Sequence, residues 1–442
     1  MQKNSKFLSA AKTLKLILGT SLVLSSIHLN AQTTTSHSPY SQFGMGQMRE
    51  DLLPQTRSMG GISAGVRYQS GLPILNIANP ASYSAFTRTI LEAGLYANMT
   101  QLQKGNTTAK TGDFAFSHFE IGIPLAKAGG MAFGLLPYSD IGYNDTRNVL
   151  NGTLQSIETL SGEGGTNKAF VGYGVTPVKG LSIGANIGFI FGELKDITAI
   201  SFPTDISMLN SRYQETRLIR GATVDYGIQY SKSLAKNKMN LTIGYSGSLN
   251  NTVNSTTTEL ITRTQPSFDP DMQGVALDTV RFNQRVSKKI NLPLKHNVGF
   301  TLSKGYNWMV GADFKYTDWS NFQTREGEPR LGKNYGFAVG GQLKPDPTSV
   351  NYWNIVDYRL GFRYNKTHLK YNNENINDMA ITAGLGFPLP ESNFGRTFSR
   401  INISAEFGQQ GTLKSNLIRE RYININLGFT INDSWFLRRP ID

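Results

Sequence analysis

Cysteine is absent from the 442 residues, so no disulfide can brace the chain and no thiolate is available as a nucleophile or metal ligand. Stability has to come from backbone pairing and packing. Past residue 31, no run approaches the roughly 18 consecutive apolar residues of a spanning helix, which excludes a helical membrane protein. Histidine is scarce: beyond residue 31 only His37, His118, His296 and His368 occur, with no pair at metal spacing and no His-Glu-x-x-His pattern. The run Gly162-Glu-Gly-Gly-Thr-Asn-Lys168 is glycine-rich but lacks the Gly-Lys-Ser/Thr order of a phosphate loop. Neither a metal nor a cofactor is expected.

Nucleic-acid partners are also disfavoured. Lysine and arginine outnumber acids by 44 to 31, yet they are scattered, and no cluster exceeds Lys288-Lys289 or Arg438-Arg439. A nucleic-acid face needs clustered cations interleaved with stacking aromatics. A lipase-like dyad is the enzymatic alternative. The adjacent pair in a predicted strand, Ser117-His118, points to opposite faces of a regular strand.

What the chain does contain begins with a leader. Lys3, Lys6, Lys12 and Lys15 precede an apolar core ending near Ile27, followed by Leu29-Asn30-Ala31-Gln32, so residues 1–31 read as a secretory signal peptide. Residues 32–87 are punctuated by Pro39, Gly44, Gly46, Pro54, Gly60-Gly61, Gly71, Pro73 and Asn79-Pro80, too closely for long strands. From Arg88 onward the dominant period is two. In Leu181 to Phe191 one face reads Leu181, Ile183, Ala185, Ile187, Phe189 and Phe191, and the other Ser182, Gly184, Asn186, Gly188 and Ile190. The same pattern recurs in 222–231, 308–316, 356–364, 379–387, 401–407 and 422–429.

About fourteen such strands are predicted, near 88–103, 111–125, 130–143, 166–177, 180–195, 214–233, 238–262, 280–304, 306–320, 333–344, 353–372, 376–388, 398–412 and 418–433. Short turns alternate with long polar loops at 144–165, 196–213, 263–279 and 321–332. Several strands run well past the 5 or 6 residues usual in soluble sheets. The expected fold is all-β: a transmembrane antiparallel barrel over 88–442, apolar rows toward lipid, with an N-terminal hatch over 32–87 inside. A soluble sandwich, whose apolar rows meet a second sheet, has the same periodicity.

A leader, a hatch ending in Asn79-Pro80-Ala81 and about fourteen strands together resemble the FadL-type family of outer-membrane barrels, across essentially the whole mature chain. Ser38 to Gly44 and Phe133 to Gly142 further resemble uncharacterised exported relatives of that family. The resemblance implies passive uptake of hydrophobic small molecules such as long-chain fatty acids. It implies a location in the outer membrane of a Gram-negative bacterium, against membrane lipids and lipopolysaccharide. Related barrels include PorV-like and plug-type accessory subunits of the type IX secretion apparatus, so a non-transporting subunit beside a larger translocon barrel is the alternative.

Candidate site residues follow. Asn79, Pro80 and Ala81 form a fixed bend joining hatch to wall. Gly134 and Pro137 lie in the third predicted strand, where proline interrupts a ladder; the resemblance implies a kink there that opens the wall sideways. The flexible or aromatic hatch residues Phe43, Met45, Met48, Leu52 and Leu53 suit either a greasy ligand or a packed plug. Alternation turns Glu92, Glu120, Asp313, Lys315 and Glu406 inward with Arg359 and Arg363, whose planar forks suit a carboxylate ligand or internal ion pairs.

Overall fold

Strands this long, with one apolar face, bury no backbone edge in lipid only if the last pairs with the first. The computed structural model describes residues 38–151, 154–202, 205, 207–234, 239–265, 276–320, 322, 331–371, 374–390 and 397–433. The expected signal peptide lies outside them. Three short strands come first: β1 (Gln47–Met48), β2 (Tyr68–Gln69) and β3 (Leu72–Pro73). The wall follows as β4 (Thr89–Lys104), β5 (Thr107–Pro124), β6 (Gly130–Asn151), β7 (Leu154–Val178), β8 (Leu181–Ser201) and β9 (Asn210–Leu234). It continues as β10 (Met239–Ser248), β11 (Thr252–Thr264), β12 (Ala276–Asn291), β13 (Lys295–Lys304), β14 (Trp308–Asp318) and β15 (Lys333–Leu343). The last four strands are β16 (Asp357–Tyr371), β17 (Glu374–Pro388), β18 (Phe398–Gly411) and β19 (Ile418–Asp433).

β10 and β11 are two halves of one wall strand, as are β12 and β13, so the ring has fourteen antiparallel strands. It closes between β19 and β4, in an unbroken ladder from Ile418↔Lys104 to Asp433↔Thr89. Ile183, Ile187, Phe189, Phe300, Phe314 and Phe429 are exposed on the outside, whereas Ser182, Asn186, Gln229, Asp313, Thr382 and Glu406 are buried on the inside. The apolar rows therefore face outward, and the sandwich alternative does not apply.

Two strands expected to be continuous are broken. At Leu249 to Asn251 the ladder gives way to one side-chain and one main-chain bond: the Val224 amide donates to Asn251 Oδ1 at 2.8 Å, and Leu249 N–H donates to the Val224 carbonyl at 2.9 Å. The neighbouring break at 292–294 contains Pro293, which has no donor for a ladder. The expected long loops at 144–165 and 196–213 are also corrected. β6 and β7 stay paired up to Asn151↔Leu154, and β7, β8 and β9 continue beside them, because backbone pairing needs no apolar face once the strands leave the membrane. Beyond the ring, β6, β7, β8, β9, β11 and β12 thus form a one-sided crown, while β14 ends at Asp318.

Residues from 38 to 88 pack against the inward face. In places their polypeptide lies so close to the wall that the facing wall residue has no room for a side chain. A Cβ on Gly361 would sit 2.1 Å from the Gly60 nitrogen, and one on Gly244 would sit 1.8 Å from the Ala64 carbonyl oxygen. Main-chain bonds fix the rest: the amides of Ser63 and Ala64 donate to Asp313 Oδ2 at 2.7 and 2.9 Å, and Gly60 N–H donates to Thr382 Oγ1 at 2.8 Å. At the junction, Pro80 starts a 3-10 turn over Pro80–Ala85, capped by Asn79, whose side chain accepts from the Ala81 amide. The Asn79 amide also donates to the Ala64 carbonyl at 2.7 Å, so the bend is tied back to its own segment.

Candidate functional site

One place in the wall is unzipped. β5 and β6 pair from Pro124↔Gly130 only as far as Phe119↔Leu135. Above that rung, among the described residues, β5 pairs only with β4, and β6 pairs with β7 and with β1, through Met48↔Ser139 and Gln47↔Asp140. Gly134 sits on the next-to-last rung, opposite Glu120. Pro137 lies just beyond it, at a register shift against β7 between Pro137 and Ser139. The N-terminal segment occupies the freed edge: the Arg49 amide donates to the Tyr138 carbonyl at 2.9 Å. The Arg49 guanidinium pairs with Asp140 on β6 and lies 4.1 Å from the Tyr96 ring centroid on β4. One arginine thus spans the opening from inside.

Behind it lies a cavity of about 350 Å³, lined by Tyr40, Met48, Arg49, Lys315, Arg363, Trp319, Glu406 and Tyr422 among others. A second space of about 20 Å³ abuts Ser117, His118, Glu120, Leu136 and Pro137 at the seam. Arg49, Glu50, Leu52, Arg57, Ile77 and Asn426 border both spaces, so these side chains form the partition between the cavity and the opening.

The partition is held by charge. Lys315 meets Glu50 at 2.6 Å, Lys168 meets Asp51 at 3.0 Å and Asp225 at 2.7 Å, and Arg57 meets Glu406 at 3.6 Å. Burial alone would raise the Glu50 carboxyl, but Lys315, Arg363 and Arg57 pull it down to about 2. Asp51 is likewise lowered, burial being outweighed by Lys168 and Lys295.

The two arginines singled out from sequence have different surroundings. Arg359 is fully enclosed by Asp357 at 3.2 Å, Gln342 at 2.8 Å and Asn402 at 2.8 Å, and does not border the cavity. Asp357 is itself shared with Lys344 and Arg400, a hub that also accepts from Ser70. Arg363 does border the cavity, donating to the Tyr422 hydroxyl at 2.9 Å and meeting Glu406 at 3.2 Å and Asp378 at 3.6 Å.

Of the apolar segment residues, Met45 is buried in a cluster with Tyr138, Ile141, Ile190, Leu194 and Ile219, against which Phe43 and Met48 pack. Leu53 packs with Leu75, Tyr83 and Phe86. Met48 and Leu52 reach the cavity wall. Sequence reading missed Arg49, Asp51, Arg57 and β1. The charged run Arg49-Glu50-Asp51 inside a glycine-rich segment with few other charges was the available signal.

Ser117 and His118 do not part to opposite faces as expected. The β4–β5 ladder passes from Gly94↔His118 to Leu95↔Phe116, leaving Ser117 as a bulge, and its hydroxyl lies 3.0 Å from His118 Nδ1. His118 Nε2 has no hydrogen-bond partner among the described residues, so no third group orients the ring as a catalytic base requires.

The BamG family model matches residues 13–442. The chain belongs to the BamG family. Its fold is shared with FadL-type barrels of known structure. A Pseudomonas putida toluene transporter, TodX, superposes with a TM-score of 0.56 at 16% identity, covering 88% of this chain and 99% of its own. A Pseudomonas aeruginosa FadL homologue gives 0.56 at 10% identity, covering 89% and 100%. The Ralstonia pickettii toluene transporter TbuX gives 0.55 at 12% identity, covering 87% and 99%. No curated protein matches this BamG-family sequence.

Proposed function

We propose that this BamG-family barrel sits in the outer membrane of a Gram-negative bacterium, crown outward, and passively conducts hydrophobic small molecules that carry a polar end. The supporting observation is the unzipped seam above Phe119↔Leu135, with a cavity behind Arg49. Membrane lipid and lipopolysaccharide cover the apolar rows. A ligand enters from the crown side, rests its polar end among the charged groups of the cavity, passes the Arg49 to Leu52 partition and leaves between β5 and β6. Pro137 keeps that exit from zipping, because proline offers no donor, and Gly134 marks the last paired rungs beneath it. Arg363 is the better placed of the two arginines to meet a carboxylate; Arg359 is already enclosed. Asn79, Pro80 and Ala81 anchor the junction during passage. Phe43 and Met45 serve as packing, while Met48 and Leu52 touch the ligand. The similarity to toluene transporters and a FadL homologue supports hydrophobic compounds as the substrate class, with long-chain fatty acids as its first member to test.

The decisive experiment expresses the chain in cells lacking their own fatty-acid channel and follows radiolabelled oleate. Uptake above that of empty-vector cells is expected. A His118→Cys/Leu136→Cys pair at the seam, unique in a cysteine-free chain, should stop it when oxidised and restore it when reduced. Background uptake by a folded barrel would sink the proposal, as would equal uptake through the oxidised form. Purification in mild detergent with a stoichiometric large barrel and no lipid would replace conduction with the accessory role.

A further inference from the structure

The crown ends in a strand that nothing in the described structure completes. β12 pairs through one edge with β11, from Thr252↔Asn291 to Thr264↔Ala276. Among the described residues no strand pairs with its other edge, because β14 stops at Asp318 and its ladder runs down β13 from Lys295↔Thr317. Sixteen residues at about 3.3 Å each carry β12 some 50 Å along its axis, well beyond the ring. The strand is open on its faces as well as its edge: Leu277, Val280, Phe282 and Val286 are 51–61% exposed. Free edges with exposed apolar side chains recruit other strands, and folded proteins normally shield them.

Charge identifies what suits this edge. Arg281, Arg285, Lys288 and Lys289 are all exposed on β12. Its single acid, Asp278, lies 3.9 Å from Arg263 of β11. Two copies of β12 brought edge to edge would set these cations against one another, so the edge is unsuited to self-pairing. Lipopolysaccharide phosphates would satisfy the cations but leave the Val280 and Phe282 side chains and the free amides and carbonyls unmet. An extended polypeptide with acidic side chains meets all three.

We propose that the free edge of β12 is a docking site for an extended, acidic segment of a partner protein outside the membrane, which adds a seventh strand to the crown. The partner pairs with the run Ala276 to Asn283 and continues past the bulge at Arg285, a residue with φ of 55°, beside Lys288 and Lys289. Val280 and Phe282 anchor it, and the four cations select its charge. The site does not depend on conduction through the lumen.

The test has two arms, both with the full chain. Purified protein in detergent is titrated with a short peptide alternating valine and glutamate, and with its valine and lysine counterpart. The acidic peptide should bind and the basic one should not. R281E/K288E/K289E should weaken the acidic peptide about tenfold or more, with heat-modifiable migration unchanged as the fold check. In cells, benzoylphenylalanine at Phe282 should cross-link to an acidic extended segment of another protein, identified by mass spectrometry, and the adduct should disappear in the triple variant. Equal binding of both peptides, no binding of either, or adducts only with lipopolysaccharide or a second copy of this chain would overturn the proposal.

Discussion

Two seams of the same wall invite comparison. The seam between β19 and β4 joins strands more than 300 residues apart, yet its ladder is unbroken from Lys104 to Thr89. The seam between β5 and β6 joins sequence neighbours across a short turn, yet it stops at Phe119↔Leu135. Chain proximity therefore does not decide where a barrel opens; local chemistry does. β19 offers Tyr422 to Phe429 in clean alternation with every donor present. β6 meets Pro137 two residues past the break, and its next edge groups are taken by β1 and by the Arg49 amide.

The contrast can be broken most severely at the complete seam. Leu427→Pro removes a ladder donor in mid-strand, and with no water to replace it the ring should fail to close. Loss of heat-modifiable migration is the expected result, and a folded barrel would contradict it. Next in size is Asp313→Ala, which leaves the buried amides of Ser63 and Ala64 without an acceptor, at about 3 kcal/mol. The N-terminal segment should become cleavable by added protease while β19–β4 stays protected. Smaller again, Arg49→Ala removes the link between Tyr96 and Asp140, at about 2 kcal/mol. Hydrogen exchange should quicken at Tyr138 to Ile141 and not along β19; equal quickening of both seams would show that they are not independent.

The smallest effect is a pH dependence at the open seam. Glu50 is held at about 2, below the ordinary 4.5, so its pairing with Lys315 is fully present above 4.5 and is lost as pH falls from there through about 2. Exchange protection of residues 48–57 should hold at pH 5 and decline below 4.5, whereas Glu50→Gln should lower it at neutral pH and leave a shallower decline, the part that Asp51 carries. An unchanged profile in the variant would remove Glu50 from this role.

The wall was largely legible because period two writes each residue's side of the sheet directly into the chain. Leu181 to Phe191 and Tyr422 to Phe429 needed no further information. The crown was harder: 144–165 is polar on both faces, and without an apolar row a paired strand looks like a loop. The pairing of β1 with Ser139 and Asp140 was invisible for another reason, since a two-residue strand has no period. The partners of Arg359 and Arg363 come from Asp357, Asn402, Glu406 and Tyr422, up to 59 residues away, and which of them meet depends on register across several strands.

Because Gly60 and Ala64 rest on Gly361 and Gly244 peptide to peptide, spacing governs this stretch more than residue type does. Deleting a single residue between them would slide one contact out of phase with its glycine while the other stayed seated. An exchange on the lipid side of the wall has no comparable reach, so the inner trace tolerates changes of length far less than the outer surface tolerates changes of identity.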